Sequence, residues 1–326
     1  MPKAIVVHEF GGAEKLSWED VPTRAPGPGE ALVRHTAIGL NFTDVYNRTG
    51  VYPLPLPFVP GQEGAGVVEE IGEGVHDVAV GDRVAYAGVP GAYCEVRTIA
   101  ASRLVPLPAN LDDRTAAAIM LKGMTAQYLL QSCAPVQSGD TILFHAAAGG
   151  VGTLACQWAR HLGVHVLGTA GGPEKVALAK SRGCEHVIDY NEIDGKGIVM
   201  RVKELTGGAG VAIVFDSVGK STFQTSLDCL RQRGMLVSFG NSSGVVEPFS
   251  PLILGGTRCL YLTRPTMHGY LSTRVELMES ALALFDVVGR GAVKVDVSRT
   301  YALRDVATAH RDLEGRRTTG STVLLP

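Results

Sequence analysis

The sequence predicts an α/β protein in which a doubly wound parallel sheet is joined to a second, mainly antiparallel β domain. Up to about residue 120 the apolar residues fall in short β-rich runs between Gly, Pro and Asp turns. From about residue 124 buried strand patterns and amphipathic helix patterns alternate one for one, the signature of parallel strands linked by crossover helices. At 326 residues the chain is also long for a single hydrophobic core, so two domains are expected.

The first part contains "KAIVVHEF", "EALVRHTAIGL", "GAGVVEEIG", "DRVAYAG" and "AYCEVRTIA", each sized for one strand of a compact antiparallel unit. Between them "YPLPLPFVPG" places Pro53, Pro55, Pro57 and Pro60, a density that neither a regular helix nor a central strand survives. "TILFH" then reads as a buried strand, after which Val151, Leu154, Ala155, Trp158, Ala159 and Leu162 recur at helical spacing. "VHVLGT" is the next strand, followed by a helix opened by Pro173 and closed by Gly183. "HVIDY" precedes a helix through "IVMRVKELT" that Gly207 and Gly208 end, and "VAIVFDSVG" and "GMLVSFG" are strands around a helix containing Phe223, Leu227 and Leu230. After about residue 262 there remain one helix, "RVELMESALALFDVVGRG", and the β-like ends "VKVDVSRTY" and "STVLLP". A tail this short is expected to return and complete the first domain, giving a division into residues 1–124, 125–261 and 262–326.

Composition narrows the function classes. Thirty basic against 32 acidic side chains leave a net charge of -2, with no broad footprint for nucleic acid or an anionic membrane. The six cysteines are scattered singly, with no C-x-x-C pair, so reduced thiols are expected rather than a disulfide framework or a zinc lobe. The start "MPKAIVVHEF" lacks a long apolar run, and the most apolar stretch, "ILFHAAAGGVGTLACQWA", is broken by His145, glycines and Gln157. Neither signal peptide nor membrane span is expected, and the expected compartment is the cytoplasm.

The strongest motif is "HAAAGGVG", between the strand "TILFH" and the helix that starts near Val151. There backbone N–H groups and the positive helix end can meet a pyrophosphate, and glycines remove side chains that would block it. Sites for NAD place an acid about 20 residues further on, but here Gly171 and Gly172 stand there, followed by Lys175. Losing a carboxylate and gaining a cation suits the 2′-phosphate of NADPH, to which Tyr190 at the next strand end can add a hydroxyl, whereas Glu174 would still serve a ribose hydroxyl in a register a few positions different. Ligands of such sheets lie beyond the carboxyl ends of the strands, which brings in Ser217 of "DSVG" and Phe239, Gly240, Asn241 and Ser242 of "FGNSS". Near the amino end, "GLNFTDVYNRTG" sets Asn41, Thr43 and Asp44 within four positions, with Tyr46 just beyond. Alone, that stretch reads as a turn whose Asn and Asp bond their own backbone.

Over essentially its whole length the chain resembles the quinone oxidoreductase (zeta-crystallin-like) family of the medium-chain dehydrogenase/reductase superfamily. "GLNFTDVY", "PGQEGAGVVEEIG", "VGDRVAY", "GAYCE", "LKGMTAQYLL", "FHAAAGGVG", "DSVG", "SFGNSSG", "LTRPT" and "GSTVLLP" carry the resemblance. It implies a GroES-like catalytic domain around a Rossmann domain, NADPH in the cleft and a homodimer. The superfamily's alcohol dehydrogenases hold a catalytic zinc through a Cys at the position of Asn41 and a His in a Gly-His-Glu motif. This chain has Asn41 and reads "GQE" with Gln62 and Glu63, and amides are poor zinc ligands beside thiolate and imidazole. It also lacks the four closely spaced cysteines of the structural zinc lobe, so no metal site is expected.

By matching motif, the resemblance implies that Asn41, Tyr46 and Tyr52 face the nicotinamide and substrate. It places Tyr128, Gly149, Gly150 and Val151 on the pyrophosphate side, and Lys175 and Tyr190 on the adenosine phosphate. Phe239 to Ser242, Arg264 and Arg316 complete the cofactor's surroundings, although the alignment of "RRTTG" leaves Arg316 or Arg317 open. The expected reaction is hydride transfer from NADPH to a quinone, with Tyr46 and Tyr52 donating hydrogen bonds to developing oxyanion charge. The rivals are an enal or enone reductase acting on a polarised C=C, and a non-catalytic NADPH-binding protein like the lens zeta-crystallin.

Overall fold

The computed structural model describes all 326 residues, Met1–Pro326. They fall into two compact units, one of Met1–Met124, Thr273–Gly289 and Val295–Pro326, the other of Thr125–Ser272 and Arg290–Lys294.

Unit 1 is built on the strand Glu30–Gly39. It pairs antiparallel with Glu63–Ile71, from Ala31 opposite Ile71 to Gly39 opposite Glu63, and along its first half with Val96–Ala100. Arg83–Ala87 extends the sheet beyond Glu63–Ile71. The carboxyl-terminal strand Ser321–Leu325 lies antiparallel to Glu30–Gly39, setting Val323 opposite Gly39, and takes Val297–Ala302 as a parallel neighbour. These last two strands thus extend the first sheet, with one parallel pair between them. Val33, Ile38, Val68, Val84, Tyr86, Tyr93 and Leu324 fill the core. Two helices matter below, α1 (Phe42–Thr49), directly after the central strand, and α2 (Asp113–Tyr128).

Unit 2 holds a six-stranded parallel sheet whose strands, in chain order, are Thr141–Phe144, His165–Ala170, His186–Asp189, Val211–Asp216, Leu230–Ser238 and Tyr261–Thr263. Numbered one to six, they lie in the spatial order 3-2-1-4-5-6, the doubly wound arrangement. Helices alternate with them, among them α3 (Gly150–His161) and α4 (Pro173–Ser181). Every residue of Val211–Asp216 is buried, as a strand covered on both faces requires. The order reverses between the first and fourth strands, so the switch point, where such sheets bind ligands, adjoins "HAAAGGVG".

The chain stays in unit 2 as far as Ser272, because Tyr261–Thr263 joins the sheet beside Met235–Val237 as its edge strand. Arg290–Lys294 returns to this unit, where the Gln157 side chain bonds both the N–H and the C=O of Lys294 at 3.0 Å. Leu230 opens a strand rather than closing the preceding helix. No helix is long and apolar enough to cross a membrane.

Candidate functional site

In unit 1 the glycine that ends the central strand has a steric cause. A Cβ on Gly39 would stand 2.0 Å from Glu63 Oε1 and 2.3 Å from the Ala117 carbonyl oxygen. The space goes to the Glu63 carboxylate, which is fully buried and accepts from Lys122 Nζ at 2.7 Å, from Asn41 Nδ2 at 3.1 Å and from the Leu121 N–H. A buried carboxylate persists only with a matched cation and further donors, and Glu63 has both.

Asn41 is the N-cap of α1. Its N–H donates to Asp44 Oδ2 at 2.9 Å and its carbonyl accepts from the Asp44 N–H at 3.1 Å, within a capping box. The turn expected from sequence is there, and it opens a helix. Five consecutive residues of α1, Asp44 to Arg48, are buried, so their polar groups need internal partners. Asp44 Oδ2 also accepts the Tyr93 hydroxyl at 2.8 Å. Burial pushes the Asp44 carboxyl up to about 7, against the opposing pull of these donors.

Tyr46 follows on α1 and meets Tyr52 edge-on, ring centroids 5.1 Å apart. The loop carrying Tyr52 is tied down by its N–H to the Tyr46 carbonyl at 3.1 Å, and by Asn47 Nδ2 to the Tyr52 carbonyl at 2.9 Å. Gln62 Nε2 in turn donates to Asn47 Oδ1 at 2.8 Å. Asn41, Tyr46 and Tyr52 thus share one rigid neighbourhood, and the Gln62 amide serves the loop that bears Tyr52. Asn41 and Gln62 engage the protein through their amides, and no group of three or more His, Cys, Asp and Glu side chains is arranged to hold a metal.

In unit 2 the turn after the first strand is tight. Ala146 takes a positive φ of 53°, and a Cβ on Gly152 would lie 2.4 Å from the Ala146 carbonyl oxygen. Only glycine lets α3 start this close to the strand. Gly149 is its N-cap and supplies no side-chain cap, so Gly150 and Val151 begin a 12-residue helix through backbone groups alone. That is the arrangement a pyrophosphate uses.

At the second strand end a Cβ on Gly171 would stand 2.6 Å from the Tyr190 ring and hydroxyl, so Gly171 makes room for that ring. Gly172, at φ 85°, caps α4, whose first turn carries Lys175. Asp189, overlooked by sequence reasoning, accepts the Gly172 N–H at 3.0 Å and the Asn191 N–H at 2.9 Å, so its carboxylate fixes the loop. Its signal was an acid at a strand end beside Tyr190, masked by its place on the third strand rather than the second.

Asp216 is the second residue overlooked. It accepts from the Val218 and Gly219 N–H groups and from the Thr222 and Ser226 hydroxyls, all within 3.1 Å, and so shapes the loop bearing Ser217. The neighbouring loop is stitched to it by Phe239 N–H to the Asp216 carbonyl and Ser242 N–H to the Ser217 carbonyl, at 2.8 and 3.3 Å. A Cβ on Gly240 would sit 2.4 Å from the Ser217 carbonyl oxygen. Ser217, Phe239, Gly240, Asn241 and Ser242 therefore form one surface at the ends of the fourth and fifth strands. Arg264 donates to the Ser238 carbonyl at 2.9 Å, and Tyr128 stacks on Tyr270 with centroids 5.1 Å apart. Arg316 lies in unit 1 at φ 56°, and the guanidinium of the adjacent Arg317 is paired with Asp312 at 2.7 Å.

The uncapped helix start, the glycine approaches, and a lysine and tyrosine in place of an acid fit a phosphorylated dinucleotide. Comparisons with known proteins place the chain in a family. Residues 27–109 match the alcohol dehydrogenase GroES-like domain family and residues 150–286 the zinc-binding dehydrogenase family. A quinone oxidoreductase of Pseudomonas aeruginosa is 50% identical over 328 residues, covering 100% of both chains. A 2-haloacrylate reductase of a Burkholderia species is 47% identical, covering 100% of this chain and 99% of that one. The crystal structure of Escherichia coli quinone oxidoreductase complexed with NADPH matches with a TM-score of 0.97 at 45% identity, over 99% of this chain and 100% of that one. With identity of this order along its full length, and amides at the two positions read as zinc ligands in its metal-bearing cousins, the chain belongs to the zinc-free quinone oxidoreductase family of the medium-chain dehydrogenase/reductase superfamily.

Proposed function

We propose that the protein is an NADPH-dependent quinone oxidoreductase that works without a metal. The observation that carries this is the helix start of α3, open at a glycine turn, with Lys175 and Tyr190 where an NAD site would hold an acid. Gly149, Gly150 and Val151 hold the pyrophosphate on backbone N–H groups, with Tyr128 beside it. Lys175 and Tyr190 bind the 2′-phosphate, and Gly171 and Gly172 keep that corner clear of side chains. Ser217, Phe239, Gly240, Asn241, Ser242 and Arg264 complete the cofactor's surroundings. Arg316 takes part, with Arg317 the alternative that the alignment of "RRTTG" leaves open.

NADPH, when bound, supplies the hydride. The protein's own task is orientation, exclusion of water and hydrogen bonding. Tyr46 and Tyr52 donate hydroxyl protons in hydrogen bonds to the quinone oxygens as these gain charge. Asn41, pinned by Glu63 and Asp44, orients the reacting face. No protein acid is required for the hydride step, since the reduced oxygen takes its proton from solvent.

The 47% identity to a 2-haloacrylate reductase favours a second reading, reduction of a polarised C=C. Steady-state NADPH oxidation against a panel of quinones, enones and haloacrylates tests both. Fast C=C turnover beside negligible quinone turnover would overturn the first, and tight NADPH binding with no turnover of any acceptor would indicate a binding role. Exhaustive chelation should leave the rate intact; loss that zinc restores would refute the metal-free mechanism. A homodimer is supported by the edge strand Tyr261–Thr263 and the exposed Phe249, Leu252, Ile253 and Tyr261 around it, and sedimentation would test it. Six free thiols support residence in the reducing cytoplasm, which cell fractionation would check.

A further inference from the structure

A chain of buried polar groups runs through unit 1 and ends on α1. Arg48 donates through both terminal nitrogens to Glu314, at 3.0 and 2.7 Å, and Nη1 is also 3.3 Å from His310 Nδ1. A guanidinium only donates, so His310 Nδ1 accepts and its ring proton sits on Nε2. Nε2 lies 3.1 Å from the Tyr93 hydroxyl and donates to it, and that hydroxyl donates onward to Asp44 Oδ2 at 2.8 Å. From Arg48 Nη1 through His310 and Tyr93 each proton points the same way, toward the Asp44 carboxyl group. Arg48, Tyr93, His310 and Asp44 are all at most 1% exposed. Asp44 Oδ2 takes both Tyr93 and the Asn41 N–H, while Oδ1 is buried with no partner.

We propose that Asp44 is a positioning residue for the reaction: held by Tyr93, His310 and Arg48, it anchors the turn bearing Asn41 and Tyr46, and its charge sets how firmly that turn is held. This rests on the roles given above to Asn41 and Tyr46. An ionised Asp44 makes charge-assisted bonds to the Asn41 N–H and the Tyr93 hydroxyl, roughly twice as strong as neutral ones, and complements the positive end of α1. A protonated Asp44 holds the turn more loosely. The groups that face it are Tyr93 from the segment Gly91–Cys94, Glu63 from its strand, Lys122 from α2 and, through His310, Arg48 of α1 itself. Glu63 disfavours the charge and Lys122 favours it, and burial outweighs both, so the change falls near neutral pH.

The test compares wild type, Tyr93→Phe and Asp44→Asn. The readouts are kcat/KM for a quinone from pH 6 to 9, the Kd for NADPH, and the 13C shift of the Asp44 carboxyl. Only differences from wild type are used, because cofactor and acceptor have their own pH dependence. Tyr93→Phe deletes one donor to the carboxylate, so the Asp44 midpoint should rise by about one pH unit. The acceptor kcat/KM should then fall up to about fivefold at pH 7 and rejoin wild type by pH 9, with NADPH affinity unchanged. Asp44→Asn should give a low kcat/KM that lacks this midpoint. If Asp44→Asn does not fold, Tyr93→Phe decides. A uniform loss at every pH, superimposable profiles, or an unmoved 13C midpoint overturns the proposal. Should the wild type reduce C=C acceptors and not quinones, the functional reading fails, while the 13C titration still supports or overturns the role of Asp44.

Discussion

Replacing Lys122 with Met is expected to unbalance the centre of unit 1. The substitution keeps most of the side-chain volume and removes the ammonium that lies 2.7 Å from Glu63 Oε1, leaving a carboxylate that is 0% exposed. Breaking a buried pair on one side costs about 3–5 kcal/mol. Glu63 keeps the Leu121 N–H and the Asn41 amide, so the lower end, about 3 kcal/mol, is expected. At about 2–4 °C per kcal/mol this amounts to a fall in Tm of about 6–12 °C, read by circular dichroism and checked by the urea midpoint. The double variant Glu63→Gln with Lys122→Met removes both charges while leaving an acceptor for the Leu121 N–H. It should recover at least about 1.5 kcal/mol of the sum of the two single losses. A single variant within about 0.5 kcal/mol of wild type, or a double variant as unstable as that sum, would refute the ion-pair account.

Three further outcomes are expected. Lys175→Ala should raise KM for NADPH about 10–100-fold and leave KM for NADH nearly unchanged, since a hydrogen bond to a charged group contributes about 1.5–3 kcal/mol; equal effects on both would remove the phosphate assignment. Gly152→Ala puts a Cβ 2.4 Å from the Ala146 carbonyl oxygen and should weaken NADPH binding at least about tenfold by titration calorimetry. Gly149→Ala, where the same oxygen is 3.1 Å away, should be milder, and equal losses would count against the steric argument. Stability should fall as pH drops from about 6.5 toward 4. Burial holds His35 down to about 4 and His310 to about 3 and also lowers His145, so unfolding takes up at least two protons there, whereas Asp44, raised to about 7, gives one back. A net uptake of at least one proton gives a slope of at least about 1.4 kcal/mol per pH unit, and a flat urea midpoint across that window would contradict it.

Periodicity carried the parallel sheet because each strand and helix of unit 2 buries its own apolar pattern, and the glycine motif was legible because strand, turn and helix are contiguous. Tyr261–Thr263 escaped because a three-residue strand has no period to detect. The return of Arg290–Lys294 escaped because it depends on the two bonds from Gln157, whose side chain imitates a strand neighbour. Within the candidate site, Asn41, Tyr46 and Tyr52 were singled out through motif, but the side chains that support them were not. Glu63 and Lys122 are 59 residues apart, and Tyr93 and His310 are 217 apart, separations at which only the folded chain reveals a contact.

The bond from Gln62 to Asn47, and from Asn47 to the Tyr52 carbonyl, also bears on evolutionary reversibility. Grafting a zinc pair back by Asn41→Cys and Gln62→His would cut the Gln62 tether and free Asn47, so the Tyr52 loop would lose its footing just as the metal arrived. The same graft would withdraw the Asn41 amide from Glu63. Asn41 and Gln62 thus act as structural ties, and a variant of this chain built to hold zinc there needs a new partner for Asn47 as well as the two ligands.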